Sequence, residues 1–466
     1  MSSAPETIKP NARILLLDAD ALDRLTSGNS GDDGMHHQVL KSPRQNHAPP
    51  GSFRPPGAAA NRPRPPPFEP PLDYRVLGPL GLLAIAYFTS CGGFAGSEPI
   101  VSAGGPLLGI TAMIVYAVVC QIPFLSVVTE LSTAFPENGG FTVWVLNAFG
   151  PFWGFQVGYW WWIGSVVSNA VYPNYIYGLL RDALGIRPSN VVEFFIKVLI
   201  AVLHALPSLV GVRCVSMLAV MVLALVLVAT MVFTVWGLAG GDGAFHRLGD
   251  VRTVDSEGSS VDWSQLINNV FWSFDGIYAI SVIGGEVMDP AKNFAWVLRV
   301  TFVLTLISYV LPMIGAVVAD QIPWQDYDED SYLTIGKRLG GKSLNTFLLV
   351  VFALALAASI LLLGFDLNSV VMASNVFGVA IELMIFLTFL QLRRAFPYLP
   401  RPTRVPGPFA LLCALLIIPT ALGVYIFVTT LTHAHTALIV GGFVIPGAIY
   451  GFFQPCCRQS WYSVNG

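Results

Sequence analysis

Charged side chains are scarce in this 466-residue chain: Asp, Glu, Lys and Arg make up 11% of it, against about 25% in a soluble domain. So few charges exclude an ordinary water-soluble globule. The net charge of −3 excludes a basic nucleic-acid surface. The six cysteines (Cys91, Cys120, Cys214, Cys413, Cys456 and Cys457) show neither disulfide spacing nor a zinc pattern. No P-loop, HExxH or nucleophile elbow is present, so no enzyme chemistry, cofactor or metal is expected. Nor is there a pore-loop filter motif of the kind channels use. Residues 1–75 lack the apolar core of a secretory signal peptide.

What the chain has instead is apolar sequence: 54% of residues, with a mean hydropathy of +0.64. A bilayer core needs about 20 apolar residues per helix. Candidate spans fall near 76–103, 105–131, 148–180, 190–210, 214–238, 263–285, 296–319, 344–365, 369–392, 408–431 and 435–454, eleven in all. Residues 1–75, rich in Pro and mixed charge (PPGAAANRPRPPPFEPP at 55–71), read as a disordered cytoplasmic tail. Residues 76–455 form the membrane domain, and 456–466 a C-terminal tail in which Cys456–Cys457 are interfacial cysteines or palmitoylation sites.

Arg62, Arg64 and Arg75 before the first span place the N-terminus inside. The acidic loops 239–262 and 320–343 then fall outside. The densest basic cluster, Arg393, Arg394, Arg401 and Arg404, conflicts with this count. Eleven simple spans put it outside, whereas basic loops belong inside. Either a helix is missing before residue 369, or segment 344–365 does not cross simply.

The most informative stretch is FTSCGGFAGSEPIVSAGGP at 88–106. A greasy segment breaks over Gly92, Gly93 and Gly96 and sets Glu98 just beyond. Freed backbone groups survive at membrane depth only where protein or a water-filled cavity covers them. A second interruption, Trp272-Ser273-Phe274-Asp275-Gly276, lies within segment 263–285. Two interrupted spans in corresponding places point to a solute site between them.

Five stretches carry a family resemblance: GGFAGSEPIVSAGGPLLG (92–109), TELSTAFPENGGFTVWV (129–145), AFGPFWGFQVGYWWWIGSVVSNAVYP (148–173), FWSFDGIYAISVIGGEVMDPAKNF (271–294) and NVFGVAIELMIFLTFLQLRRAFP (375–397). Together they resemble the amino acid–polyamine–organocation superfamily, in the polyamine-uptake branch allied to L-type amino acid transporters. The resemblance implies an all-α polytopic membrane protein with the leucine-transporter-like inverted-repeat fold, spans one and six broken. It implies a secondary active transporter of polyamines or amino acids working by alternating access. An H⁺-coupled symporter of the plasma membrane is the expectation. Any accessory subunit is unknown. Relative to the family layout, part of the usual eighth and ninth spans is missing, with Ser359–Ile360 as the junction. The alternative reading is therefore a non-transporting sensor or a truncated inactive isoform.

A polyamine offers ammonium groups and methylenes but no carboxylate. Its site needs acids and apolar or aromatic walls. Glu98 and Asp275 are the candidate acids and proton carriers, since carboxylates at membrane depth are costly and usually functional. Against this, Glu98 at an outer mouth and Asp275 as a helix cap are the structural readings. Gly92, Gly93 and Gly96 would expose backbone to substrate, or merely allow close packing. Phe94, Trp272, Phe274 and Tyr278 are candidate walls. Polyamine relatives carry the acid of this segment a few positions later, where Tyr278 stands. Asn169 and Tyr172 belong to a family motif whose acid is Ser168 here; substrate contact and interhelical hydrogen bonding are equally open.

Glu130 and Glu286 read as gating or capping acids, and Glu382 as a partner of Arg393 or Arg394 by snorkelling. Trp160-Trp161-Trp162 reads as interfacial packing, and His204 as a hydrogen-bonded core histidine.

Overall fold

The computed structural model of the chain describes residues 75–464, apart from 170–172, 174–175, 179, 182–184, 186–187, 241–242, 253–259, 329 and 358–366. The tail expected over 1–75 lies outside the described residues except for Arg75, as does the Ser359–Ile360 junction.

Among the described residues there are helices and no named strand. In chain order they are α1 (Pro79–Ser90), α2 (Glu98–Gly104), α3 (Pro106–Ala134), α4 (Phe141–Phe149), α5 (Pro151–Asn169), α6 (Asn190–Val210), α7 (Val212–Gly240) and α8 (Trp263–Phe274). After them come α9 (Pro290–Ala319), α10 (Ser331–Ala357), α11 (Leu367–Ala395), α12 (Phe409–Leu431) and α13 (Ala434–Val464). Seven of these contain a stretch long and apolar enough to cross a membrane: α3, α7 and α9 to α13. The chain is an all-α polytopic membrane protein.

Local chemistry sets several helix starts. Pro79, Pro99, Pro106 and Pro290 occupy first-turn positions, where a missing N–H costs nothing. Asp262 caps α8, its Oδ1 accepting from Gln265 N at 2.9 Å.

Both expected interruptions are present. Residues 91–97 leave the helix between α1 and α2. In the second segment α8 stops at Phe274, Asp275 turns to extended backbone, and a 3-10 segment runs Ile277–Val282. Gly276 has φ 91° and rests against the carbonyl of Thr89, where any Cβ would overlap that oxygen. The two breaks therefore meet.

The acidic loops gather at one end of the bundle. Arg252 donates to Ser102 O (2.6 Å), Trp324 Nε1 to Asp250 Oδ2 (3.1 Å), and Arg247 Nε pairs with Asp320 (3.3 Å). The opposite end carries Arg75, which donates to Val287 O at 2.8 Å, and a bridge between Leu77 and Val287. The FPENGG turn is stitched there too. Gly139 N donates to Val282 O (2.8 Å) and Gly285 N to Asn138 Oδ1 (2.9 Å).

The basic cluster lies at this second end. Glu130, one turn from the end of α3, receives Arg393 Nη2 at 2.5 Å and Val405 N at 2.7 Å. Arg401 Nε approaches Glu130 Oε1 at 2.9 Å, an ion pair by distance without hydrogen-bond alignment. Arg393 is thus engaged by Glu130 rather than by Glu382 as the sequence suggested. Glu130 fits the ion-pair reading. Seven simple crossings between Glu130 and Arg393 would have put them at opposite ends. The pairing instead requires an even number of crossings between them, which is the conflict the charge pattern raised.

Candidate functional site

A cavity of about 340 Å³ opens where the breaks meet, within the usual size of small-molecule sites. α1 and its break contribute Phe88, Thr89, Ser90, Cys91, Gly92 and Ala95. The second break contributes Trp272, Asp275, Gly276 and Tyr278. α5 adds Trp160, Trp161, Gly164 and Ser165, while α11 adds Ser374, Phe377, Gly378 and Ile381. Ile85, Val215, Ala219 and Tyr309 complete the wall. Asp275 is the one carboxylate of this lining, and among the described residues no Lys, Arg or His belongs to it.

Asp275 is placed by what surrounds the break. Its Oδ1 accepts from Gly276 N at 2.8 Å, a contact within the break; the 3-10 segment that follows starts from Gly276 without a side-chain cap. Its carboxylate lies against Gly378 of α11, where a Cβ would overlap Oδ2. The carbonyl of Phe274, freed by the break, accepts from Gln121 Nε2 at 3.1 Å. Gln121 ends a π-turn, Ala117–Gln121, inside α3. Such bulges recur at functional sites, and this one turns a buried amide toward an orphaned backbone acceptor.

Tyr278 is fully enclosed among aromatic rings, with centroids 5.1 Å from Phe141 and 5.6 Å from Trp161. Behind the site, Asn375 Nδ2 donates to Asn268 Oδ1 at 3.1 Å and Thr430 Oγ1 to the same oxygen at 3.2 Å. This ties α11 and α12 to α8.

Of the residues proposed from sequence, Gly92, Trp272, Asp275 and Tyr278 come together on the cavity wall. Gly93, Phe94, Gly96, Glu98 and Phe274 do not line it. Gly93 packs near Val226 and Ala355, and Gly96 against the Trp272 ring. Phe94 is buried between Phe233, Tyr332 and Phe352, at 5.5, 5.5 and 4.8 Å. Phe274 stacks on Tyr116 at 5.5 Å. Glu98 is wholly buried at the start of α2, with Oε2 accepting from Gly96 N at 2.6 Å. The side chain of Asn169 and all of Tyr172 lie outside the described residues, as does the His204 side chain.

Sequence reasoning missed Trp160 and Trp161 as wall residues, because three consecutive tryptophans do not disclose which ones face inward. Trp162 is 60% exposed and keeps the interfacial reading.

The sequence profile of the amino acid permease family matches residues 78–376. Polyamine transporter RMV1 of Arabidopsis thaliana is 28% identical, over 82% of this chain and 85% of its own length. Polyamine transporter PUT1 of Oryza sativa subsp. japonica is 29% identical, over 85% and 82%. Amino-acid permease RocE of Bacillus subtilis is 24% identical, over 60% and 62%.

Proposed function

The chain belongs to the amino acid permease family, within the amino acid–polyamine–organocation superfamily, and from that premise we propose that it is a secondary active polyamine transporter. It is an integral multi-pass membrane protein, and a transporter rather than an enzyme. The transport cycle is alternating access about the cavity between the breaks, driven by H⁺ symport, in the plasma membrane. Glu98, Asp275 and Glu382 are the buried carboxylates able to carry the proton.

One observation favours an amine over an amino acid. A substrate carboxylate at such a site would dock on free N–H groups at the half-helix starts. Here Gly96 N is taken by Glu98 and Gly276 N by Asp275. An incoming carboxylate would meet Asp275, the one carboxylate of the lining. An ammonium group meets Asp275 directly, with Trp161, Trp272 and Tyr278 along its methylenes for apolar and cation–π contact. The relatives named as polyamine transporters support the same choice.

Uptake of labelled putrescine in a transport-null host tests this. Spermidine should compete strongly, arginine weakly, and leucine not at all. Asp275→Asn should abolish uptake with surface level unchanged. Leucine competing as well as spermidine would return the site to amino acids.

A further inference from the structure

Glu382 lies one turn along α11 from Gly378, the glycine against which the Asp275 carboxylate rests. It is 7% exposed and does not line the cavity. The ionisable groups that interact with it are Tyr116 and Cys120 of α3, and Asp275 and Tyr278 of the second break. None is a cation. Helices α4, α5, α8 and α12, packed on α11, contain no charged residue; α13, also packed on it, carries His435 and Arg458, whose side chains lie outside the described residues. The one charged residue of α3, Glu130, is already paired with Arg393 and Arg401.

Two acids therefore share an apolar region, and among the described residues no basic side chain acts on either. Two such carboxylates cannot both stay ionised without compensation. Loaded with substrate, the pair needs two positive charges. The ammonium can reach Asp275, which faces the cavity, but not Glu382, which sits behind it. The remaining charge must be small enough to pass between packed side chains.

We propose that Glu382 carries the proton that travels with the substrate, leaving Asp275 ionised to hold the ammonium. This rests on the transport reading above. Glu382 takes H⁺ from water on the proton-rich side and returns it to water on the other. No bond beyond the carboxyl O–H forms or breaks. One proton then crosses with each ammonium held at Asp275.

The test uses the full chain purified and reconstituted in liposomes. Glu382→Gln, which mimics the protonated acid, should keep putrescine counterflow within about twofold of wild type. It should lose accumulation driven by a pH gradient, and Glu382→Asp should restore part of that drive. Asp275→Asn should lose both. Infrared spectra of the substrate-free protein should show a protonated carboxyl band that vanishes in Glu382→Gln and persists in Glu98→Gln. Unchanged gradient-driven accumulation in folded Glu382→Gln overturns the proposal. So does loss of counterflow in both Glu382→Gln and Glu382→Asp, which would give Glu382 to the ammonium. If wild type moves no putrescine the transport reading fails, and the infrared band still decides whether Glu382 holds the proton.

Discussion

The carboxylate of Asp275 rests against the α-carbon of Gly378, a contact that any side chain at position 378 would push aside. The glycine sits in the long helix α11, so its cost in helix propensity, about 1 kcal/mol relative to alanine, is offset by what it admits. Gly378→Ala should leave thermal stability unchanged or slightly raised, since the carboxylate can swing away. Putrescine uptake should fall at least about tenfold, equivalent to 1.4 kcal/mol. Uptake equal to wild type would mean that this carboxylate position is not used.

Gln121 should behave as a structural support of the break. Gln121→Leu keeps the bulk but leaves the buried carbonyl of Phe274 without its donor. An unsatisfied buried acceptor costs about 1–3 kcal/mol. A lower unfolding temperature in detergent is expected, together with a raised KM, because Asp275 follows Phe274 directly. Gln121→Glu should be worse, since it places an acceptor against an acceptor.

Glu130 neutralises two buried arginines, Arg393 and Arg401, each with 5% of its side chain exposed. Removing one partner of a buried pair costs about 3–5 kcal/mol, because it strands the other charge. Glu130→Ala should therefore reduce surface expression sharply. Pairing it with Arg393→Met should recover part of the loss. Expression of Glu130→Ala at the wild-type level would show that the cluster is solvated in the membrane.

Phe94 is enclosed by three rings rather than by the cavity. Phe94→Ala should destabilise by about 3–5 kcal/mol, as large-to-small core changes do. Phe94→Leu should keep the KM for putrescine close to wild type while lowering the unfolding temperature. A large rise in KM for Phe94→Leu would put the ring back in the substrate's path.

Composition and spacing alone settled that this chain lives in a bilayer, because apolar runs of spanning length with few charges have no other stable home. They also settled where two rods must break, because glycines and a carboxylate amid hydrocarbon-facing sequence tolerate no regular helix. Asp275, Trp272, Tyr278 and Gly92 were legible for that reason. What packs across the breaks was not. Gly378 reads along the chain as a small residue in a helix, and Gln121 as a polar residue between two apolar runs. Each acquires its role from a neighbour more than 100 positions away. Glu98 was as conspicuous as Asp275 in sequence, yet its carboxylate turns back onto Gly96 N while Asp275 faces the cavity. Which acid reaches the cavity depends on how the half-helices dock. Docking is fixed by side-chain packing between distant segments, which local residue order does not encode.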